Sequence, residues 1–216
     1  MKNRVLLKGK SFSILGDSYS TFLGYIPAHY STYYPNTNAV EDVLCVEDTW
    51  WQILVQNTGM ILSVNDSYSG STVCTQVREG HPQWNSFVHR SLTVDFSMEG
   101  QSPDYILVFG GTNDSWLERE IGELVYTDPT ADQLKQVLPA FCHILTVLSQ
   151  RYPTTKIVAV LNTDLNPRIW EGMCQAAAHY NVAVVALENI EKQNGHPTAT
   201  GMAAIAHQVA NILSMK

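Results

Sequence analysis

The chain has 216 residues and a formal net charge of −7, from 13 lysines and arginines against 20 aspartates and glutamates. Hydrophobic residues make up 45% and charged residues 15%, which supplies a full core and excludes an intrinsically disordered chain. The acidic balance argues against nucleic-acid partners, which select basic surfaces, and the length favours a single domain over residues 1–216.

The sequence contains no recognisable membrane-spanning or signal segment and no metal-binding pattern of cysteines. The sequence has no apolar run of about 18 residues, so we expect no transmembrane helix and no membrane insertion. The N-terminus carries basic residues but only a short apolar run at 5–7, without the hydrophobic segment of a signal peptide. This predicts a cytoplasmic protein, or one whose leader was trimmed. The scattered cysteines lack a CxxC pair, which favours free thiols over zinc ligands: Cys45, Cys74, Cys142 and Cys174.

Strand and helix patterns alternate along the chain. Apolar, β-branched runs that predict strands recur at 11–16, 61–65, 105–110, 156–161 and 182–187. Helical spacing of apolar residues occurs at 47–57, 130–152, 166–180 and 198–215, with a further candidate at 82–97. Nearly continuous apolar strands are typical of a parallel sheet covered on both faces. The pattern predicts a doubly wound α/β fold with a mostly parallel five-stranded sheet and right-handed crossovers.

Two segments between these elements are unusually long. Residues 25–48 are rich in aromatic side chains and contain Pro and Asn, and residues 115–129 follow the third predicted strand. Ordered loops of this length in a compact domain often belong to a functional site. We therefore expect both loops to border the site.

Small and polar residues follow the predicted strands at their carboxyl ends, where ligands bind in sheets of this kind. The first strand is followed by Gly16-Asp17-Ser18, the second by residues 65–71 and the third by residues 110–114. Gly195-His196-Pro197 lies after the last strand and before the final helix. We expect these four segments to meet at one edge of the sheet.

The four segments contain the parts of a serine-dependent acyl-transfer site. A serine hydroxyl is a weak nucleophile until a base takes its proton, and His196 is the candidate base for Ser18. Three donors are candidates for holding the developing oxyanion: the backbone N–H of Ser18, the backbone N–H of Gly70 and the side-chain amide of Asn113. The alternatives are that Ser18 only caps a helix and that Asn113 only stabilises a turn.

The same segments resemble the motif blocks of the SGNH (GDSL-like) hydrolase superfamily, and the resemblance spans residues 11–205. The matching stretches are Gly16-Asp17-Ser18, "NDSYSGS" with Gly70, "VFGGTND" with Asn113, and "GHPTATG" with His196. The resemblance implies a three-layer α/β/α, flavodoxin-like fold and hydrolysis of an ester, often of a carbohydrate or lipid. It also implies that Ser18 is the nucleophile, that His196 is the base, and that Ser18, Gly70 and Asn113 form the oxyanion hole.

One position departs from the pattern of that superfamily. Its members usually carry Asp three residues before the catalytic His, whereas this chain has Gln193 there. A glutamine can accept a hydrogen bond from imidazole but cannot stabilise imidazolium with a charge. Either the site is a Ser–His dyad, with Gln193 or a backbone carbonyl orienting the ring, or a carboxylate reaches back. We slightly favour Glu191 as that carboxylate, with Glu188 as a more remote option.

Three residues are candidates for contact with the substrate. Asp17 either contacts the substrate or caps and braces its own loop, and Trp116 would form a wall of the pocket. Tyr25 belongs to a group of tyrosines near the first long loop whose faces could pack on sugar rings: Tyr25, Tyr30, Tyr33 and Tyr34.

The leading hypothesis is a serine esterase that removes an acyl group, such as acetyl, from a small-molecule or carbohydrate ester. An acyltransferase using the same residues is an alternative, because excluding water favours transfer to an alcohol. A non-catalytic binding domain is another, motivated by the missing Asp at position 193. No His, Asp and Glu cluster has metal-ligand spacing, and no phosphate-binding run follows the first strand, so we expect no metal and no cofactor.

Overall fold

The computed structural model describes residues 6–36 and 42–215. Part of the first long loop, residues 37–41, and the basic N-terminal stretch, residues 1–5, therefore lie outside the described residues. The main sheet has the strand order β2-β1-β3-β4-β5 and is parallel throughout, as in flavodoxin-like folds. Its strands are β1 Ser11–Gly16, β2 Ile61–Ser67, β3 Tyr105–Phe109, β4 Lys156–Leu161 and β5 Ala183–Ala186.

Helices cover both faces of this sheet and complete the three layers. On one face α1 (Trp50–Thr58) packs against α6 (Ala199–Leu213), and on the other α4 (Val137–Arg151) packs between α2 (Phe87–Thr93) and α5 (Pro167–His179). A short helix, α3 (Thr112–Trp116), follows β3 directly. The predicted α/β fold with five parallel strands is confirmed.

Alternate residues of each strand enter opposite cores, which explains why the strand sequences are nearly continuously apolar. In β3, Leu107 and Phe109 join the core beneath α1 and α6. Ile106 and Val108 join the core beneath α2, α4 and α5. All four side chains are almost fully buried, so a polar residue at any of these positions would face a core.

The structure shortens two of the predicted helices. The pattern at 130–152 predicts one long helix, but α4 begins at Val137 because Gln136 has an extended backbone (φ −99°, ψ 149°) after a 3-10 turn at Gln133–Lys135. The candidate helix at 82–97 is a 3-10 turn, Gln83–Asn85, followed by the shorter α2. The Ser86 side chain caps α2 by accepting from the His89 N–H at 3.2 Å.

A two-stranded antiparallel hairpin precedes α6 and was not anticipated. It consists of β6 (Lys192–Gln193) and β7 (His196–Pro197), joined by Asn194 and Gly195. Both linking residues have positive φ, 50° and 79°, as a type I′ turn requires. Asn-Gly is the preferred sequence for that turn, so this local signal was present in the sequence.

Across residues 6–36 and 42–215, no helix is both long enough and apolar enough to span a bilayer.

Candidate active site

Three neighbouring strands end at the same level, which brings the loops after them together. Gly16, the last residue of β1, pairs with Ser67 at the end of β2 and with Phe109 at the end of β3. The crossovers from β1 and β3 lead to opposite edges of the sheet, so their carboxyl ends flank the switch point where doubly wound folds bind ligands. Ser18 and Asn113 lie in the segments that leave these two strands.

Ser18 and His196 form a hydrogen bond across this edge. The His196 Nε2 lies 3.0 Å from the Ser18 Oγ. Ser18 begins a 3-10 turn, Ser18–Ser20, whose cap is Asp17, and only 3% of Ser18 is exposed. His196 begins β7 and is 7% exposed. Residues 178 positions apart are therefore held in contact in a nearly dry environment.

Tyrosine hydroxyls fix the hairpin that carries His196. The Tyr19 hydroxyl donates to the Gly195 carbonyl, and the Tyr34 hydroxyl donates to the Pro197 carbonyl at 2.8 Å. A Cβ on Gly195 would lie 3.0 Å from the Trp116 ring, so glycine serves here both for its positive φ and for the close approach of Trp116. The hairpin thus has little freedom to move His196 away from Ser18.

The second ring nitrogen of His196 faces a backbone carbonyl. Its Nδ1 lies 3.3 Å from the carbonyl oxygen of Asn194. Because a carbonyl oxygen can only accept, this contact places the proton on Nδ1 and leaves the Nε2 lone pair directed at the Ser18 hydroxyl. That tautomer is the one a general base requires.

The expectation that Glu191 orients His196 needs correction. The Glu191 carboxylate accepts instead from the Thr198 hydroxyl at 2.7 Å, and Thr198 caps α6 by accepting from the Gly201 N–H at 3.2 Å. The two-residue turn sets this register: Gln193 pairs with His196 through the backbone, and the Thr198 N–H donates to the Glu191 carbonyl.

The other two side chains considered for orienting the ring, those of Glu188 and Gln193, do not hydrogen-bond to it either. Glu188 binds the Gln208 amide of α6 through its own backbone N–H and carbonyl. Gln193 is the backbone partner of His196 in the hairpin, with no side-chain hydrogen bond to it. Among the described residues, the His196 ring has Ser18 and Asn194 as its hydrogen-bonding partners. The imidazole is therefore held between the Ser18 hydroxyl and a backbone carbonyl.

The environment of His196 favours its neutral form. The pKa of His196 is lowered to about 4, chiefly by burial; the Asn194 carbonyl opposes this, and the nearby Lys192 ammonium makes a smaller contribution in the same direction as burial. Three oxygens hold Lys192 Nζ in place: Asn162 Oδ1 at 2.7 Å, Thr163 Oγ1 at 2.7 Å and Asp164 Oδ2 at 2.5 Å. The ring is therefore an unprotonated acceptor at neutral pH.

One hydrogen bond joins Asn113 to the loop that carries Gly70, the other predicted oxyanion donor. Asn113 Nδ2 donates to the carbonyl of Ser71, the residue after Gly70, at 2.9 Å. Gly70 has a φ of 84°, and a Cβ there would lie 2.6 Å from His81 Cε1, so only glycine fits the loop. The amide of Asn113 has a second N–H, and the N–H of Ser18 has no acceptor within its own short turn.

A buried arginine, which the sequence reasoning missed, ties these loops together. Arg90 is 1% exposed and directs its guanidinium at four residues. Its acceptors are the carbonyls of Gly16, Asp66 and Asn85, the Asp66 carboxylate at 2.8 Å and the Ser71 hydroxyl at 2.9 Å. The available signal was its position on α2: Arg90 lies three residues after the buried Phe87 and shares its face.

Of the two roles expected for Asp17, the structure supports the cap and not the contact with substrate. It is fully buried and its Oδ1 accepts from the Tyr19 N–H at 3.0 Å, so it acts as a cap. Burial raises the pKa of Asp17 to about 7, with a smaller contribution from Asp114. Asp114 braces the loop after β2 by accepting from the N–H groups of Val73 and Cys74 at 2.8 and 3.2 Å.

The rings beside His196 include Trp116, as expected, but Tyr33 in place of Tyr25. Trp116 is 45% exposed and contacts His196 edge to face, with ring centroids 5.5 Å apart. Tyr25 packs against Phe22 and Trp51 instead, with no ring contact to His196. Another tyrosine of the group stacks on the imidazole: Tyr33, with centroids 3.5 Å apart.

Comparison with known proteins places this chain in a family. The family model described as GDSL-like lipase/acylhydrolase matches residues 10–213. A crystal structure described as a GDSL-like lipase from Bacteroides uniformis ATCC 8492 is 40% identical, with a TM-score of 0.86 and 94% of each chain covered. A second, from Bacteroides ovatus ATCC 8483, is 35% identical with a TM-score of 0.85, covering 94% of this chain and 96% of that one.

More distant structures share the fold. A family two carbohydrate esterase from Clostridium thermocellum, solved with cellohexaose, is 15% identical with a TM-score of 0.64, covering 94% of this chain and 62% of that one. A search of curated proteins gave no match. The extent of the family match and the identity to the two Bacteroides proteins are decisive: the chain belongs to the GDSL-like lipase/acylhydrolase family of ester-bond hydrolases.

Proposed function

We propose that this hydrolase is a serine esterase that works with a Ser18–His196 dyad. The observation that carries the proposal is the pair of contacts on the imidazole: Nε2 lies 3.0 Å from the Ser18 Oγ, and Nδ1 lies 3.3 Å from the Asn194 carbonyl. The first contact provides a route for the serine proton, and the second fixes the tautomer that can accept it.

In the first half-reaction the Ser18 Oγ attacks the ester carbonyl carbon while its proton passes to His196 Nε2. The tetrahedral intermediate then collapses, the bond to the alcohol oxygen breaks, and that oxygen takes the proton from Nε2. In the second half-reaction water gives its proton to Nε2 and attacks the acyl-serine. Collapse of this second intermediate returns the proton to Ser18 and releases the acid.

The oxyanion of both intermediates is held by donors from three different loops. These are the N–H of Ser18 at the start of its turn, the N–H of Gly70, and the second amide N–H of Asn113. The bond from Asn113 to the Ser71 carbonyl and the bonds from Arg90 to Gly16 and Ser71 support this arrangement by fixing the loops before substrate binds.

The substrate that this site favours is a short acyl ester of a carbohydrate. Ser18 and Asn113 are 3% and 2% exposed, which leaves little room for a long acyl chain beside them. The exposed ring of Trp116 stands next to His196 and offers a face or edge to a pyranose. The shared fold with family two carbohydrate esterases agrees with this substrate class.

The assignment of Ser18 is tested with p-nitrophenyl acetate and a fluorophosphonate probe. Wild-type protein should hydrolyse the ester and be labelled at Ser18, and Ser18→Ala should lose both properties. Ser149→Ala, at an exposed serine on α4, is the matched control and should behave as wild type. Undiminished turnover in Ser18→Ala would remove Ser18 from the mechanism.

The same experiment separates the alternative functions. A non-catalytic binding domain would show neither turnover nor labelling in the wild type. An acyltransferase would form a new ester when a sugar acceptor is added in aqueous buffer, whereas the proposed esterase forms free acid. Rates with acetate, butyrate and octanoate esters measure the acyl preference, which we expect to fall with chain length.

A further inference from the structure

The imidazole of His196 lies flat against the ring of Tyr33. The two ring centroids are 3.5 Å apart and the planes differ by 7°. Three other aromatic rings surround His196, but they meet it at angles of 54° to 80°: Tyr19, Tyr34 and Trp116. Among the described residues Tyr33 is therefore the one that offers the imidazole a parallel π face.

The backbone of Tyr33 is tied to the turn that carries Ser18. The Tyr33 N–H donates to the Thr21 Oγ1 at 2.9 Å, and the Thr21 hydroxyl donates to the Ser18 carbonyl at 3.0 Å. His196 in turn contacts the Ser18 Oγ. These contacts connect Ser18, Thr21, Tyr33 and His196 in a continuous loop of neighbours. They fix the position of the imidazole relative to the serine that it must deprotonate.

Proton transfer from Ser18 to His196 requires a group that positions the imidazole and stabilises its positive charge. When His196 takes the Ser18 proton it becomes a cation, and no carboxylate of residues 6–36 or 42–215 touches its ring to balance the charge. Lys192 is close enough to disfavour that cation further. The face of an aromatic ring carries the negative side of its quadrupole and attracts a cation within about 6 Å, more strongly where water is excluded.

We propose that Tyr33 is a positioning residue that performs the two tasks a carboxylate performs in a catalytic triad. Its ring fixes the plane of the imidazole, and its π face stabilises the imidazolium that forms in the transition state. The phenol hydroxyl is not needed for either task. This inference rests on the proposed dyad, because it concerns the charge that His196 acquires from Ser18.

The test compares Tyr33→Phe, which keeps the ring, with Tyr33→Leu, which keeps apolar bulk without a π face. We expect Tyr33→Phe to retain activity within about threefold of wild type. Tyr33→Leu should lose about 5- to 30-fold in kcat, with KM changed by less than about threefold. Tyr25→Leu is the matched control, since Tyr25 lies in the same loop without contacting His196, and it should be unaffected.

Fluorophosphonate labelling of Ser18 separates an effect on the dyad from an effect on substrate binding. The probe phosphonylates Ser18: the Oγ bonds to phosphorus, fluoride leaves and the serine proton passes to His196. The probe has no sugar to stack on Tyr33, so its labelling rate should fall in Tyr33→Leu by the same factor as kcat. Circular dichroism monitors folding. If Tyr33→Leu does not fold, Tyr33→Met, whose flexible side chain adapts to gaps, is measured in its place.

Three results would overturn the inference while leaving the dyad intact: equal activity in Tyr33→Leu and wild type, a loss confined to KM, or equal losses in Tyr33→Phe and Tyr33→Leu. Absence of labelling at Ser18 in the wild type would instead overturn the proposed dyad, and the role of Tyr33 with it. The two failures are therefore distinguished by the wild-type protein alone.

Discussion

His196 is oriented by the backbone of Asn194, whose carbonyl oxygen lies 3.3 Å from the Nδ1 of the imidazole. Both residues belong to the same tight hairpin, so the contact is built into the local backbone and needs no side chain from elsewhere. A carbonyl can fix the tautomer of the ring as a carboxylate does, but it carries only a partial charge. The imidazole of His196 therefore depends on the backbone carbonyl of Asn194 and on the buried groups around it.

Glu191→Gln should leave catalysis nearly unchanged. The Glu191 carboxylate binds the Thr198 hydroxyl at 2.7 Å, away from the His196 ring. We expect kcat/KM for p-nitrophenyl acetate within about threefold of wild type, whereas loss of a true triad carboxylate costs about 10⁴-fold. A small decrease in Tm is expected, because one hydrogen bond at the start of α6 is weakened. A loss of about a thousandfold with an intact fold would restore Glu191 to the site.

The acid limb of the pH–rate profile should lie far below that of an ordinary histidine. His196 must be neutral to accept the proton, and burial lowers its pKa to about 4. Activity should therefore persist as the pH falls through 6.5 and be lost only near pH 4. The measurement is kcat/KM between pH 3.5 and 8, with circular dichroism at each pH to confirm folding. A limb near pH 6.5 would contradict the burial of the base.

Lys192→Met should move this limb to higher pH. The Lys192 ammonium lowers the pKa of His196, so its removal makes the ring easier to protonate. The plateau rate should also decrease, because three oxygens that hold β6 lose their donor. Lys135→Met, at an exposed pair with Asp132, is the control and should leave the limb in place. A limb that stays fixed or moves down would exclude an electrostatic effect of Lys192.

Regular local patterns explain what the sequence predicted correctly. The runs at 11–16 and 156–161 match β1 and β4 residue for residue, because strands buried on both faces are apolar throughout. In a parallel sheet the segments that follow the strands lie at one edge, so the segments after the first and last predicted strands had to meet there. That reasoning brought Ser18 and His196 to the same edge, where the structure finds them in hydrogen-bond contact.

The sequence did not predict the contact between Tyr33 and His196, because it joins distant parts of the chain. It also did not predict the hairpin, because the Asn194-Gly195 turn was overlooked. Tyr33 and His196 are 163 positions apart in numbering, and the path of the loop that joins them in space follows from tertiary packing. The Asn194-Gly195 turn was readable, and it fixes a register in which Glu191 faces Thr198. Recognising that turn in the sequence would have favoured a backbone carbonyl over Glu191 as the partner of His196.

Arg90→Met should destabilise the fold strongly. It would leave the Asp66 carboxylate buried without its cation and would free the Gly16 carbonyl and the Ser71 hydroxyl. We expect a loss of about 3–5 kcal/mol in the free energy of unfolding, measured with urea. The double variant with Asp66→Asn should lose less than the sum of the two single variants.

The control for this change is an exposed ion pair. Lys10 and Asp104 are 2.7 Å apart with side chains 46% and 34% exposed, so water screens the pair and Lys10→Met should destabilise the fold much less than Arg90→Met. Equal losses for Arg90→Met and Lys10→Met would mean that the buried network contributes no more than a surface pair.

Asp17→Asn should stabilise the protein in a pH-dependent manner. Burial raises the pKa of Asp17 to about 7, against about 3.9 in an unfolded chain. Between these values the unfolded chain has lost the proton and the native state still binds it, so wild-type stability falls by about 1.4 kcal/mol per pH unit from this group. Asparagine has no proton to lose, so the stability of the variant relative to wild type should rise from pH 4.5 to pH 8.

Urea unfolding of both proteins at pH 4.5, 6 and 8 measures this difference. His196 and the other groups titrate alike in the two proteins and cancel when one stability is subtracted from the other. Asp132→Asn, at an exposed surface pair, should show a stability difference from wild type that stays nearly constant over the same range. A constant difference for Asp17→Asn as well would mean that Asp17 is already ionised in the folded protein at pH 4.5, and that its cap on the Ser18 turn is charged throughout.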